Sequence, residues 1–246
     1  MTMMFRYFGS YDTGVCFAVL AVCSFFFVAP GADFTAPAGK GSKTVSRPAA
    51  ADVTPGQMLK KTTFWLYYVW AIAVSAAGLA LISQASGVVW EASAASSVAT
   101  IVGLISICNA VGRVLFGGMY DKYGRSLSMQ LVNGLFILTS AVLLLAMSRG
   151  SVAVVILGFV LGGLAYSGVT PTNSAFCRAY FGPGHYPVNF PLINTNLIFA
   201  SFGSTVSGAL YDAGGSYNST FFLIIGLAAV GIVCSLAISA IDKKGN

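Results

Sequence analysis

Seven stretches of this chain, 12–30, 64–83, 95–116, 127–147, 152–172, 190–210 and 218–240, are each long and apolar enough to cross a bilayer as a helix. A span takes about 20 apolar residues, because a helix rises about 1.5 Å per residue through hydrocarbon about 30 Å thick. Backbone polar groups inside lipid must be paired within the chain, so runs of this length predict helices. The expected fold class is therefore an all-α membrane protein with about seven transmembrane helices. Charge supports the same class: 57% of residues are hydrophobic and 8% charged, too few charges to cover a water-facing surface. The lipid bilayer is thus the first expected partner, and the protein is expected to be multi-pass.

The polar residues divide these spans into regions. Residues 1–30 hold one transmembrane helix, and 31–63 form a basic linker with Lys40, Lys43, Arg47, Lys60, Lys61 and three prolines. Residues 64–240 form a group of six helices with short connections, and 241–246 a tail. With the linker inside, the inside also collects Lys122, Arg125, Arg178, Lys243 and Lys244, whereas the outside holds Arg6 and Arg149. The positive-inside rule then puts the C-terminus in the cytoplasm, in a plasma (inner) membrane. Arg6, the apolar run from Val15 to Val28 and Ala29-Pro30-Gly31-Ala32 also resemble a cleavable signal peptide, which would invert this orientation. A retained span is the better reading.

Cations that punctuate apolar runs form no basic face, so the net charge of +6 does not point to nucleic acid. Five scattered cysteines without a C-x-x-C pair, and the single His185, make no metal cluster. No metal or cofactor is expected. Nor does the chain carry a nucleophile–base pair or a phosphate-binding glycine loop on a soluble segment, so an enzyme is not expected.

Residues Gly117 to Ser126 spend charge where the chain otherwise saves it. Gly117-x-x-x-Asp121-Lys122-x-Gly124-Arg125, placed between two spans, resembles the signature loop of the major facilitator superfamily. The preceding Asn109-Ala110-Val111-Gly112-Arg113 is similar to the eighth helix of its oxalate/formate antiporter-like and monocarboxylate transporter-like members. Gly208-Ala209-Leu210-Tyr211-Asp212-Ala213-Gly214-Gly215-Ser216-Tyr217 resembles their 11–12 junction, and Thr54-Pro55-Gly56-Gln57-Met58-Leu59 the approach to their seventh helix. The resemblance implies one helix (the sixth) plus a six-helix transporter half built as 3+3 inverted repeats. It also implies that the first five helices are not in this chain, so that a complementary N-terminal half would be a partner.

The candidate site follows from chemistry inside the spans. Arg113 lies eight residues, about 12 Å of helix, from Asp121 and so near mid-bilayer. An arginine there costs about 2.5–3.5 kcal/mol even on the lenient insertion scale and needs a compensating partner, such as a carboxylate gripped through two hydrogen bonds. Asn109 lies one turn earlier on the same face. Asn189, Asn196, Gly203 and Ser207 share one face of the most polar span, read as cavity lining, with Asn194 nearby. Tyr67, Trp70 and Tyr166 complete the candidate substrate-binding set. Thr170-Pro171-Thr172 is expected to interrupt its helix. For the signature loop (Gly117, Asp121, Lys122, Gly124 and Arg125), the expectation is a gating latch in which Asp121 pairs with Arg125 or caps a neighbouring helix start, and Gly117 and Gly118 let helices approach. Ser126 departs from the family's second basic residue.

The family's oxalate exchangers carry a lysine where Asn196 stands, which favours a monocarboxylate over oxalate. The expected function is a partial secondary transporter moving small organic anions by alternating access. The alternative is a truncated or split-gene membrane fragment without transport of its own.

Overall fold

A computed structural model describes residues 52–91 and 98–244. The expected span at 12–30 and most of the linker lie outside the described residues. Among those described, every regular element is a helix and no strand forms. The helices are α1 (Pro55–Met58), α2 (Thr62–Ser83), α3 (Ala85–Glu91), α4 (Val98–Arg149), α5 (Val152–Ser167), α6 (Val169–Phe181), α7 (Tyr186–Asn194), α8 (Asn196–Ala200), α9 (Phe202–Gly214) and α10 (Asn218–Lys244).

Four helical runs among the described residues are long and apolar enough to cross a membrane, namely Thr62–Ser83, Ile101–Arg149, Val152–Phe181 and Asn218–Lys243. Large apolar side chains on their outer faces, such as Val114, Leu115, Phe222 and Val233, are exposed. Water would disfavour such a surface and lipid would not. The protein is an all-α membrane protein.

Six of the expected spans fall within 64–240, and the four runs found among the described residues differ from that number for physical reasons. Two expected spans, 95–116 and 127–147, belong to one element, α4, whose 52 residues would reach about 78 Å if straight. Gly124, at φ 79° and ψ −177°, interrupts it. Contacts with α5 show what the interruption does. Along α5, Gly163, Ser167 and Gly168 meet Ile105, Gly112 and Phe116 in rising order. Gly158, Gly162 and Gly168 meet Leu143, Thr139 and Val132 in falling order. The two arms of α4 therefore run antiparallel, and Gly124 is the reversal. The expected span 190–210 is instead divided, at Thr195 and Ser201, into pieces too short to qualify alone. Both residues keep α-region dihedrals, but Ile198 and Ser204 donate to carbonyls three residues back, so the rod tightens there without turning.

The connection at 168 has a similar origin. Pro171 has no N–H to give the Ser167 carbonyl, so the ladder between α5 and α6 fails one turn before it. The run continues to Phe181 with a break at Gly168, where Thr170-Pro171-Thr172 predicted one.

Six rods result: α2, the two arms of α4, α5–α6, α7–α9 and α10. Directions alternate. From one end of α2 to the other, Tyr67, Gly78 and Leu81 meet Asn173, Tyr166 and Gly162 in falling order. Tyr68, Ser75 and Ala76 meet Thr195, Asn196 and Gly203 in rising order. One end of the bundle is tied by Asp52 and Val53, which bond the turn after α6: Val53 N donates to Phe181 O at 3.0 Å and Gly184 N to Asp52 Oδ1 at 2.7 Å. Asn189 Nδ2 donates to Val53 O at 2.9 Å. The opposite end gathers α3, Tyr211 and Tyr217, whose rings stack at 4.2 Å.

Candidate functional site

A cavity of about 120 Å³ opens between α2, α4, α5–α6 and α7–α8, lined by Ser75, Arg113, Tyr166, Val169, Thr170, Asn173, Asn194 and Leu197. Three of the sequence-predicted residues, Arg113, Asn194 and Tyr166, meet here from three rods. The wall is predominantly polar inside a bundle that is otherwise apolar. It is also small beside the roughly 300–1,000 Å³ common for ligand pockets, which fits a ligand of few atoms.

Each lining group is placed by a local feature. The Tyr166 ring lies against Gly78, and a methyl group on that glycine would overlap it. The break at Gly168 brings Val169 and Thr170 to the cavity edge. Arg113 is solvent-accessible on the bundle surface and makes no hydrogen bond or ion pair among the described residues. The carboxylates of the described residues, Asp52, Glu91, Asp121, Asp212 and Asp242, all sit toward rod ends. Thus no acid in the described bundle neutralises Arg113.

The other candidates take different places. Tyr67 is fully buried, stacked on Phe176 at 3.6 Å, and its hydroxyl donates to Asn173 Oδ1 at 2.8 Å. It reaches the cavity only through Asn173. Trp70 is in the core, where its indole N–H donates to Asn133 Oδ1 at 3.1 Å, and it does not line the cavity. Asn109 does not line it either, and its Oδ1 is buried without a partner among the described residues.

The face read as cavity lining in 190–210 is instead the packed face. Asn189, Asn196 and Ser207 are fully buried. Asn196 Nδ2 donates to Ser75 Oγ at 3.0 Å, Ser207 meets Thr220 at 2.9 Å, and Gly203 lies against the Ala76 backbone. Asn194, two residues and about 200° from Asn196, takes the cavity side. Sequence reasoning missed Ser75 and Asn173. Both are polar residues inside apolar runs, and Asn173, just after the Thr-Pro-Thr break, carried the stronger signal.

The signature loop differs from its expected wiring. Asp121 and Lys122 are exposed, and Arg125 is buried. Gly124, out of helical conformation between Asp121 and Arg125, removes the one-turn spacing that would pair them. Arg125 Nη2 instead meets Asp242 Oδ2 of α10 at 3.1 Å and Ser239 Oγ at 3.0 Å. Its Nε donates to the Tyr180 hydroxyl at 2.9 Å, and that hydroxyl donates to Asp242 at 2.5 Å. Gly117 and Gly118 do not make the expected close approach, since added side-chain carbons would meet only Pro171 at 4.0 Å and nothing, respectively. The close approaches lie elsewhere, at Gly163 on Ile105 and Gly203 on Ala76.

Outside the spans, burial holds the Glu91 carboxyl above its usual range and pushes Tyr217 up to about 12, helped by Tyr211 beside it. Both are at the bundle end opposite Arg125, away from the cavity. Compared with models of known protein families and with curated proteins, the chain matches none.

Proposed function

We propose that this bundle is one half of a secondary transporter of the major facilitator type, which binds a small organic anion, a monocarboxylate, at the Arg113 cavity and moves it by alternating access. The observation that carries the reading is Arg113 itself: a fixed cation in the middle of a span, lining a small polar cavity, with no acidic partner among the described residues. Such a charge exposed to lipid would cost about 2.5–3.5 kcal/mol or more. A second wall and a bound carboxylate would offset that cost. In this reading the complementary half covers the face that exposes Arg113, and the Arg125 end faces the cytoplasm of a plasma (inner) membrane. A single fixed cation suits one carboxylate better than two.

The test is uptake of radiolabelled lactate and acetate into proteoliposomes holding this chain with a complementary N-terminal half. Arg113→Ala should lower uptake at least a hundredfold, consistent with losing about 3 kcal/mol of charge-assisted hydrogen bonding, while the melting temperature stays within a few degrees. Wild-type uptake by that variant would remove Arg113 from the site. Absence of uptake with every half tried would favour an inert membrane fragment.

A further inference from the structure

We infer that Asn173 is a positioning residue that fixes the cavity as a hydrogen-bond donor site, by orienting Asn194 through a chain that begins at Tyr67; this inference rests on the anion-binding reading above. Three polar groups from three rods form the chain. The Tyr67 hydroxyl donates to Asn173 Oδ1 at 2.8 Å, and Asn173 Nδ2 donates to Asn194 Oδ1 at 3.1 Å. The acceptor end of Asn194 is thereby occupied. Its Nδ2 has no hydrogen-bond partner among the described residues and is the end left for the cavity that Asn194 lines.

An amide can turn over, so something must hold this direction. Reversed, Asn173 Nδ2 would donate to the Tyr67 oxygen, and Asn194 would give its N–H inward and turn its carbonyl to the cavity. Tyr67 is 0% exposed and packed between Trp70 and Phe176, so its O–H proton would then have nowhere to go. An unsatisfied buried donor is penalised by its full desolvation, whereas an unused phenolic lone pair is tolerated far better. The proton on Tyr67 thus sets the direction of the whole chain.

Direction matters because of Arg113. An Asn194 carbonyl facing the cavity would give the guanidinium an acceptor inside the protein and compete with a carboxylate. An Asn194 N–H₂ on the cavity that Arg113 also lines adds a second donor for the same anion and disfavours cations and groups that can only donate. The aromatic core under α2 would in this way govern the selectivity of a site it does not touch.

The experiment measures the melting temperature of the purified full chain in detergent while formate, acetate, lactate and oxalate are titrated. The unaltered chain should be stabilised by a monocarboxylate, and Arg113→Ala should lose the effect. Tyr67→Phe keeps the ring stack and removes only the hydroxyl that orients the chain. Asn173→Leu keeps the branched shape and breaks the chain. Each should raise the midpoint concentration about tenfold, the size of one hydrogen bond to a charged group. The double variant should match Asn173→Leu alone, since Tyr67 acts through Asn173. Should Asn173→Leu fail to fold, Tyr67→Phe decides the matter. Midpoints unchanged in Tyr67→Phe, with Arg113→Ala inactive, would overturn this inference and leave the anion site standing. No stabilisation of the unaltered chain by any of the four anions, or full stabilisation of Arg113→Ala, would sink both.

Discussion

Gly124 sits at φ 79° and ψ −177°, a region of backbone space that is essentially closed to residues with a Cβ. An added Cβ there would meet nothing within 4 Å, so any penalty for a side chain is conformational and not steric. Gly118, six residues earlier, is helical and equally unobstructed. The pair separates two roles that look alike in a glycine-rich motif. Gly124→Ala should destabilise the protein by about 1–3 kcal/mol, while Gly118→Ala should be neutral or slightly stabilising, measured as melting temperature in detergent. Equal effects would mean that the reversal does not depend on the glycine. At this scale the sequence was legible in part. Charge at a glycine-rich turn marked Arg125 as special, and a lone arginine inside a span marked Arg113. Helical spacing could group Asn189, Asn196, Gly203 and Ser207 on one face, but periodicity does not say whether a polar face meets a cavity or a neighbour. The neighbours here are the Val53 carbonyl for Asn189, Ser75 and the backbone of α2 for Asn196 and Gly203, and Thr220 for Ser207, and the cavity took Asn194.

At the scale of elements, Arg125 joins three rods at one end: the second arm of α4, which carries it, α6 through Tyr180, and α10 through Ser239 and Asp242. Its exposure of 8% against 22% for Asp242 places the pair largely out of water. Removing one member of such a pair leaves the other without compensation. Arg125→Ala should therefore destabilise the bundle by about 3 kcal/mol, and Arg125→Lys should recover only part, because an ammonium cannot reach Tyr180, Ser239 and Asp242 at once. Thermal melts of the purified variants check both. Full stability in Arg125→Ala would show the cluster to be incidental. Asp242 was not legible as a partner because it lies 117 residues away, in a tail that reads as an ordinary basic terminus. The spans were more legible, since apolar length alone locates a rod. Their boundaries were not: Gly124 lets two rods share one helix, and Thr195 and Ser201 divide another without bending it.

For the whole molecule, the contacts establish a sidedness that the charges can then orient. Lys61 lies over the Phe181 ring, Arg178 over Tyr186, and Arg125 against Asp242, so Lys60, Lys61, Arg125, Arg178 and Lys243 belong to one end of the bundle, with Lys122 in the same turn as Arg125. Arg149 ends the second arm of α4, about 37 Å of helix from Gly124, and so stands at the other end. Cations gathered at one end of a set of alternating rods are what the positive-inside rule acts on, and the orientation proposed above, with that end in the cytoplasm, rests on this asymmetry. The prediction is that an impermeant maleimide, applied to intact cells, labels an Asp212→Cys variant and spares Lys122→Cys until the membrane is opened, with the unaltered chain as background. The reverse pattern would turn the bundle over. It would also move the Arg125–Asp242 cluster to the outer surface.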